Sequence, residues 1–360
     1  MAETETRKMM TDPPSAPLYP RRHAPFRVHW NWYLLQQCNY GCSYCPEVEY
    51  KRTKTAPLPI LNVSLDDWTR IWDRLFGLYG SALIRFAGGE PFIFPHFIDF
   101  LAMLTEHNAI DVTTNLSFDV DEFLRKVTPD ALAISASYHP EHVSLGEFLG
   151  KLERLKREGF CVSAALVAYP TFLGSLKKTI EGFDRADIQL KLIPFRGKYQ
   201  GRDYPLAYTQ DEKDVMRLAT QTRNTDGNVI NAQWFREMVE KEEKRQEEIR
   251  AYNERRPDPS PPPAPVPESG NGKSAPPLCR MGENYAKIYA DGTVRRCCCP
   301  GVPVMGRIMD KDFRLLDAAG PCDVPCLCWK PMKLGEYESR WETLWQGLVH
   351  RKHPLKTEGD

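Results

Sequence analysis

The sequence predicts an α/β protein: an open, partial (β/α)6 TIM-like barrel, followed by a small cysteine-rich domain built on a β-hairpin. Two observations predict this fold. Short apolar segments alternate with amphipathic segments between residues 26 and 195, and the cysteines cluster at two places. Strands that alternate with helices pair in parallel through right-handed crossovers. Six such units are too few to close the eight-unit barrel, so the barrel is expected to be open.

Each predicted strand is an apolar run that leads into a polar stretch. The six strands are expected at Phe26–Leu35, Ala82–Phe86, Ala109–Thr114, Ala131–Ser137, Phe160–Tyr169 and Ile188–Phe195. The carboxyl ends of parallel strands share one rim, and the loops at that rim form the working face of a barrel. Chemistry is therefore expected in the segments that follow the strands.

Capping signals mark several of the helices between the strands. Ser64 opens one helix and Gly80 closes it, while Ser144 opens another that Gly159 ends, as capping-box and C-terminal glycine patterns predict. The remaining helices are expected at Phe97–His107, Asp121–Val127, Phe172–Asp184 and Thr209–Thr222.

Composition restricts the class of protein. Lys+Arg and Asp+Glu number 48 each among 360 residues, so no overall charge favours nucleic acid or an anionic membrane as a partner. The 11 cysteines are clustered, which is typical of metal ligation in a reducing compartment. No export signal and no apolar run of about 18 residues is visible. We expect a cytoplasmic protein without a membrane or nucleic-acid partner.

Composition also predicts the domain boundaries. Residues 1–24 are expected to form a disordered tail, and residues 25–205 the barrel. Residues 206–276 read as a helical connector with a charged, proline-rich linker; its charged part is expected to be a solvated surface, with a partner-docking arm as the alternative. The cysteine-rich domain is expected at 277–335, and a C-terminal helix and tail at 336–360.

The loop after the first strand carries Cys38, Cys42 and Cys45. Thiolates suit iron–sulfur clusters and zinc, and a four-iron cluster usually takes four of them, so three leave one iron open. Half a zinc site or buried thiols are the alternatives. The spacing resembles the signature of the radical S-adenosylmethionine (SAM) enzymes. The resemblance implies that these cysteines ligate a [4Fe–4S] cluster that binds SAM and, once reduced, cleaves it to a 5′-deoxyadenosyl radical.

A second stretch, Gly88–Pro91, follows the second strand and resembles the SAM-binding motif of that family. The resemblance implies that Gly88, Gly89, Glu90 and Pro91 bind SAM, with the Glu90 carboxylate on the SAM ammonium group. A turn with a solvated glutamate is the alternative. Further SAM contacts are implied for Tyr44, Asn115, Ser135 and Ser137, for which packing or turn formation is the alternative.

The stretch Tyr138–His142 follows the fourth strand and is expected to face the substrate. A tyrosine or histidine there could donate or accept a proton, since histidine titrates near neutrality. No catalytic residue is assigned beyond this hypothesis.

The second cysteine group surrounds Asp291-Gly292, a strong hairpin signal. The pattern resembles the SPASM/twitch extension of radical SAM enzymes, which implies an auxiliary [4Fe–4S] cluster. Cys279 and Cys297 are the expected ligands, and two of three later cysteines are expected to complete the set. The last two of these cysteines are spaced Cys-x-Cys, whereas a Cys-x-x-Cys pair is common in the extension that the pattern resembles. A zinc ribbon is the alternative. The later cysteines are Cys322, Cys326 and Cys328.

The resemblance implies an enzyme that abstracts hydrogen from a peptide or small-molecule substrate, and an electron donor such as a flavodoxin or ferredoxin. Oxidation, cross-linking or epimerisation are the expected outcomes. The alternative is a non-catalytic zinc- or iron–sulfur-binding interaction module.

Overall fold

A nine-stranded sheet, in the order β12-β11-β10-β1-β2-β3-β4-β5-β6, organises the computed structural model. The structure describes residues 26, 28–45, 58–220, 278–298 and 302–321. The strands β1 to β6 are parallel and follow one another in sequence order. The strands are β1 Val28–Tyr33, β2 Ala82–Ala87, β3 Ala109–Thr114, β4 Leu132–Ser137, β5 Cys161–Ala168, β6 Leu190–Pro194, β7 Gly197–Tyr199, β8 Arg202–Tyr204, β9 Leu278–Cys279, β10 Tyr285–Ile288, β11 Thr293–Arg295, β12 Val304–Arg307 and β13 Gly320–Pro321.

Helices connect the parallel strands, as the sequence predicts for an open (β/α)6 barrel. In the first helix the Ser64 hydroxyl accepts from the backbone N–H of Asp67 (3.1 Å), and Gly80 ends it with φ +71°. The helices are α1 Leu65–Tyr79, α2 Phe97–Thr105, α3 Val120–Lys126, α4 Leu145–Arg157, α5 Leu173–Arg185 and α6 Gln210–Thr220.

Aromatic side chains pack between the first strands and the helices. Trp32 is fully buried, and its ring centroid lies 5.1 Å from that of Trp68 and 5.4 Å from that of Phe86. Large rings supply much apolar burial per residue. This layer anchors β1 in the core and fixes where its C-terminal loop emerges.

The other face of the sheet is polar. Arg85 of β2 pairs with Asp111 of β3 through Nε (2.7 Å), and the Ser135 hydroxyl of β4 donates to the same carboxylate (2.9 Å). Because side chains alternate along a strand, these residues point away from the helices, into the concave side of the open barrel.

The second cysteine group joins the barrel sheet. Strand β10 pairs in parallel with β1, with Trp30 opposite Ala286. Strand β11 returns antiparallel to β10, and Gly292 between them has φ +81°. The hairpin at Asp291-Gly292 is confirmed. Its pairing with β1 was not predicted, because periodicity shows that a strand exists and not which strand it joins.

Other differences are small. The observed strands are shorter than predicted at several ends, and the short β7–β8 hairpin was missed. The predicted tail 1–24, the charged and proline-rich part of the linker beyond residue 220, and the helix and tail at 336–360 lie outside the described residues. No helix within the described ranges is both long and apolar enough to cross a bilayer.

Candidate functional site

The three-cysteine loop leaves the C-terminal end of β1. Cys42 is buried, and Cys38 and Cys45 are half-buried. The backbone N–H of Tyr40 donates to the Cys38 sulfur (3.3 Å). Burial first, and then the like charges of Cys45, Glu141 and Cys38, raise the pKa of Cys42 to about 12, although a hydrogen bond with Tyr44 opposes the shift. The structure therefore brings the three sulfurs into one electrostatic environment, in which a bound cation would favour the thiolate forms.

The two glycines after β2 let that segment lie against the cysteine loop. The N–H of Gly89 donates to the carbonyl of Leu35 (2.9 Å), and the N–H of Glu90 to that of Gln37 (2.9 Å). A Cβ on Gly89 would lie 1.8 Å from the Gln37 oxygen, and one on Gly88, whose φ is +137°, 2.4 Å from the Leu35 oxygen. Close approach of two backbones thus requires both glycines.

Glu90 fastens the glycine stretch to the end of β3. Its carboxylate is almost fully buried and accepts from the Thr114 hydroxyl (2.8 Å), the N–H of Asn115 (2.7 Å) and the N–H of Phe92 (3.1 Å). Burial raises the pKa of Glu90, and these three hydrogen bonds oppose that shift. The solvated glutamate of a simple turn is therefore not what the structure shows. Pro91 begins the short 3-10 turn Pro91–Ile93.

Asn115 extends this link to the cysteine loop. Its Nδ2 donates to the Asn39 side-chain oxygen (2.9 Å) and lies 3.9 Å from the Cys38 sulfur. Asn39 in turn donates to the Ser117 hydroxyl (2.8 Å). The sequence predicted a role for Asn115 but gave no sign of Asn39 or Ser117, because amides and hydroxyls are common in loops.

The loop after β4 packs on the cysteine loop from the other side. Nδ1 of His139 lies 3.3 Å from the Cys42 sulfur and 2.8 Å from the Tyr44 hydroxyl. Burial, and then the nearby His142, lowers the pKa of His139 to about 4, so its imidazole is neutral. The Glu141 carboxylate accepts from the N–H of Ser43 (2.8 Å).

These contacts revise the hypothesis for Tyr138–His142. Tyr138 is buried against Phe148 (ring centroids 5.0 Å apart), and His139 faces the cysteines. Tyr44 packs on His139 and lies 5.2 Å from the ring of Tyr169, which gives it a packing role.

The two serines of β4 lie at different distances from the rim of the barrel. Ser135 lies within the strand, bound to Asp111, below the rim at which it was expected. Ser137 is the last residue of β4 and half-buried, nearer to that rim.

Arg296 holds the second cysteine group together. Its guanidinium donates to the carbonyls of Cys279 (2.9 Å), Gly320 (3.0 Å) and Pro321 (2.7 Å). Cys279 and Cys297, the residue that follows Arg296, are both buried. Strand β9, which contains Cys279, pairs with β13. The structure thus brings together two predicted ligands and the residue before the third cysteine segment; Cys322, Cys326 and Cys328 lie outside the described residues.

Part of this chain is similar in sequence to known proteins. No family model matches the chain. The chain is 38% identical over 85 residues to the GTP 3',8-cyclase of Pectobacterium atrosepticum, a match that spans 23% of this chain and 25% of that protein. The match therefore spans about a quarter of that relative's length.

Solved structures with a similar fold include native anSMEcpe with bound AdoMet, at 12% identity and a TM-score of 0.48, with 79% of this chain and 78% of that one covered. Another is Streptococcus suis SuiB, at 12% identity and a TM-score of 0.46, with 80% and 65% covered. At these scores the likeness adds nothing to what the strand order of the chain already shows.

The structure thus has a three-cysteine loop after the first strand of a partial barrel, held by a Gly-Gly-Glu segment after the second. This is the arrangement that the resemblance to radical SAM enzymes implies, and GTP 3',8-cyclase, to which part of the chain is similar, is a radical SAM enzyme.

Proposed function

We propose that the chain is a radical SAM enzyme that abstracts hydrogen from a peptide or small-metabolite substrate. The observation that carries this proposal is the joint between the cysteine loop and the Gly88–Glu90 segment, which places both motifs at one rim. When bound, a reduced [4Fe–4S] cluster with SAM supplies a 5′-deoxyadenosyl radical. The protein binds the substrate, orients it and excludes water.

The residues present fit such a cluster. Cys38, Cys42 and Cys45 would be its ligands, because they lie on one short loop in which the N–H of Cys45 donates to the carbonyl of Cys42 (3.3 Å). The N–H of Tyr40 and the side chain of Asn115 point to the Cys38 sulfur, and hydrogen bonds to sulfur are one means by which proteins set the potential of a cluster.

The SAM site would lie beside this loop. The buried Glu90 carboxylate already accepts three hydrogen bonds, and a carboxylate has about four acceptor sites, so one remains for the SAM ammonium group. Gly88, Gly89 and Pro91 would bring backbone to SAM, and Asn115 would reach it from β3. Tyr44, Ser135 and Ser137 remain proposed contacts, with Ser137 nearer the rim than Ser135.

An auxiliary [4Fe–4S] cluster is proposed at Cys279 and Cys297, with two of the cysteines that follow β13. The contacts of Arg296 support convergence of these segments. Such a cluster could accept an electron from a substrate radical and so give oxidation or cross-linking; return of hydrogen would give epimerisation. The reducing electron would come from a flavodoxin or ferredoxin.

Reductive SAM cleavage by anaerobically reconstituted protein tests the proposal. Wild-type protein should release 5′-deoxyadenosine when a reductant is added, and Cys42→Ala should not. Cys161→Ala is the matched control, since it removes a cysteine of β5 that lies in neither cysteine group. Equal cleavage by Cys42→Ala and wild type would refute the assignment.

One observation favours the alternative of a metal-binding module. Ligand atoms of Cys42, Glu141 and His142 lie within 4.8 Å of one another, and this ligand set also suits zinc. Metal and sulfide analysis separates the two functions. About eight irons per chain with matching sulfide supports two four-iron clusters, whereas stoichiometric zinc without sulfide supports the module.

A further inference from the structure

One register row of the large sheet carries charge across its concave side. Paired residues run from Arg295 of β11 through Lys287, Asn31 and Arg85 to Asp111 of β3. Neighbouring strands are about 4.8 Å apart, so the row is about 19 Å long. Apart from the buried Asp111, its members are half-buried.

The positive charge of this row exceeds its negative charge. Arg85 is paired with Asp111 (Nη2 to carboxylate oxygen 2.6 Å). Lys287 lies over the ring of Tyr289, 4.8 Å from its centroid, and Arg295 donates to the carbonyl of Val302 (3.2 Å). Neither Lys287 nor Arg295 forms an ion pair with a carboxylate among the described residues, so two positive charges are not neutralised by any carboxylate there.

A further cation reaches the same space from the opposite end of the barrel. Lys191 of β6 is exposed to solvent, yet surrounding protein lowers its pKa, and Arg85 lowers it further while Asp111 raises it. The register places Lys191 on the same face of the sheet: it lies opposite Ala165, Ala165 lies opposite Ser137, and Ser137 shares its face with Ser135, which donates to Asp111. Lys191 therefore lines the concavity.

The row lies close to the cysteine loop. Asn31 and Arg85 stand two residues before the ends of β1 and β2, about 7 Å along each strand from the rim. The simplest explanation is structural: an ion pair between Arg85 and Asp111, and two cations over the ring of Tyr289, with Lys287 4.8 Å and Arg295 5.7 Å from its centroid. That explanation leaves a net positive charge in a half-buried space, where uncompensated charge is unfavourable.

We propose that this row, with Lys191, binds an anionic group of the substrate, a carboxylate or a phosphate. A guanidinium matches either anion with two parallel hydrogen bonds, and an ammonium group binds them as a point charge. That the anion belongs to the substrate rests on the proposed function, whereas the anion site itself rests on the positive charges of this row and of Lys191.

Inorganic phosphate and succinate are the probes, each titrated calorimetrically into reconstituted protein already saturated with SAM. At least one should bind saturably, and Lys287→Met and Arg295→Met should each weaken that probe about tenfold, the loss typical of one charged hydrogen bond. Arg295→Lys, which keeps the charge but not the planar fork, should lose less affinity than Arg295→Met. Lys178→Met, on the exposed face of α5, is the control and should change nothing. Phosphate alone indicates a phosphorylated substrate, and succinate alone a carboxylate.

Two results would overturn the proposal directly: binding of neither probe, or equal affinity of the probe for the row variants and the control. A third is competition between SAM and the probe, because it would assign the cations to the SAM carboxylate. SAM cleavage measured on the same samples keeps the two proposals apart. If cleavage fails while the row variants lose phosphate, the anion site stands and the enzymatic assignment falls.

Discussion

Position 89 requires a glycine because two backbones approach each other there. A carbonyl oxygen of the neighbouring loop lies so close to Gly89 that no Cβ would fit. We expect Gly89→Ala to lower the free energy of unfolding by about 2 kcal/mol or more, because it separates two segments joined by backbone hydrogen bonds worth about 1 kcal/mol each. Denaturant titration of the cluster-free protein measures the change.

Gly77 is the matched control. It lies within α1, where an added methyl group would meet no other atom within 4 Å, so Gly77→Ala should stabilise by about 0.5–1 kcal/mol. Similar losses in both variants would contradict the argument from close approach.

His139 predicts a pH dependence. Its pKa is about 4 in the folded protein and about 6.5 in the unfolded chain. Below pH 6.5 the unfolded chain therefore binds the proton first. The free energy of unfolding should fall as pH drops from about 6.5 to about 4, by at most about 1.4 kcal/mol per pH unit.

Unfolding of the cluster-free protein at several pH values tests this dependence against His139→Gln, which does not titrate. Wild type should lose more stability than the variant over that interval. Parallel curves would show that His139 is not the group responsible.

The sequence predicted that the cysteine loop and Glu90 lie at one rim of the barrel, because both motifs directly follow predicted strands; their roles as cluster and SAM ligands stay predictions. It could not predict that Asn39, His139 and Arg296 support them, since each is a common residue whose role depends on which loops meet. His139 carried a partial signal, its place after the fourth strand, but which of its neighbours it faces is set by packing of Tyr138 and Tyr44.

Among the structural elements, Arg296 joins segments far apart in the chain. Its guanidinium bonds carbonyls at residues 279, 281, 320 and 321. Arg296→Lys keeps the charge but cannot bridge all of these carbonyls, because an ammonium group lacks the planar fork. We expect iron to fall from about eight to about four per chain, with SAM cleavage retained.

Iron and sulfide analysis with a parallel cleavage assay measures this outcome. Arg314→Lys is the control, since Arg314 donates to the carbonyl of its own neighbour Phe313 and that bond joins no distant segments. A full iron complement in Arg296→Lys would show that the cysteine segments converge without the clamp.

The barrel as a whole could be predicted because each of its six units is local: a cap such as Ser64, an amphipathic helix and an apolar strand. Parallel order then follows from general topology. The pairing of β10 with β1 could not be predicted, because it joins residues separated by most of the chain, and the pattern of Tyr285–Ile288 suits several edges equally.

This pairing makes a final prediction. Strand β1 is bonded on one side to β2 and on the other to β10, so weakening the hairpin should expose β1 before β4–β6.

Ile288 is fully buried, and Ile288→Ala should cost about 2–5 kcal/mol of local stability. Amide hydrogen exchange should quicken in β10, β11 and β1 and stay unchanged in β5 and β6, since exchange reports local opening. Leu192→Ala, at a buried position of β6, should give the reverse pattern. If both variants quicken exchange in every strand alike, the hairpin and the barrel unfold as one unit.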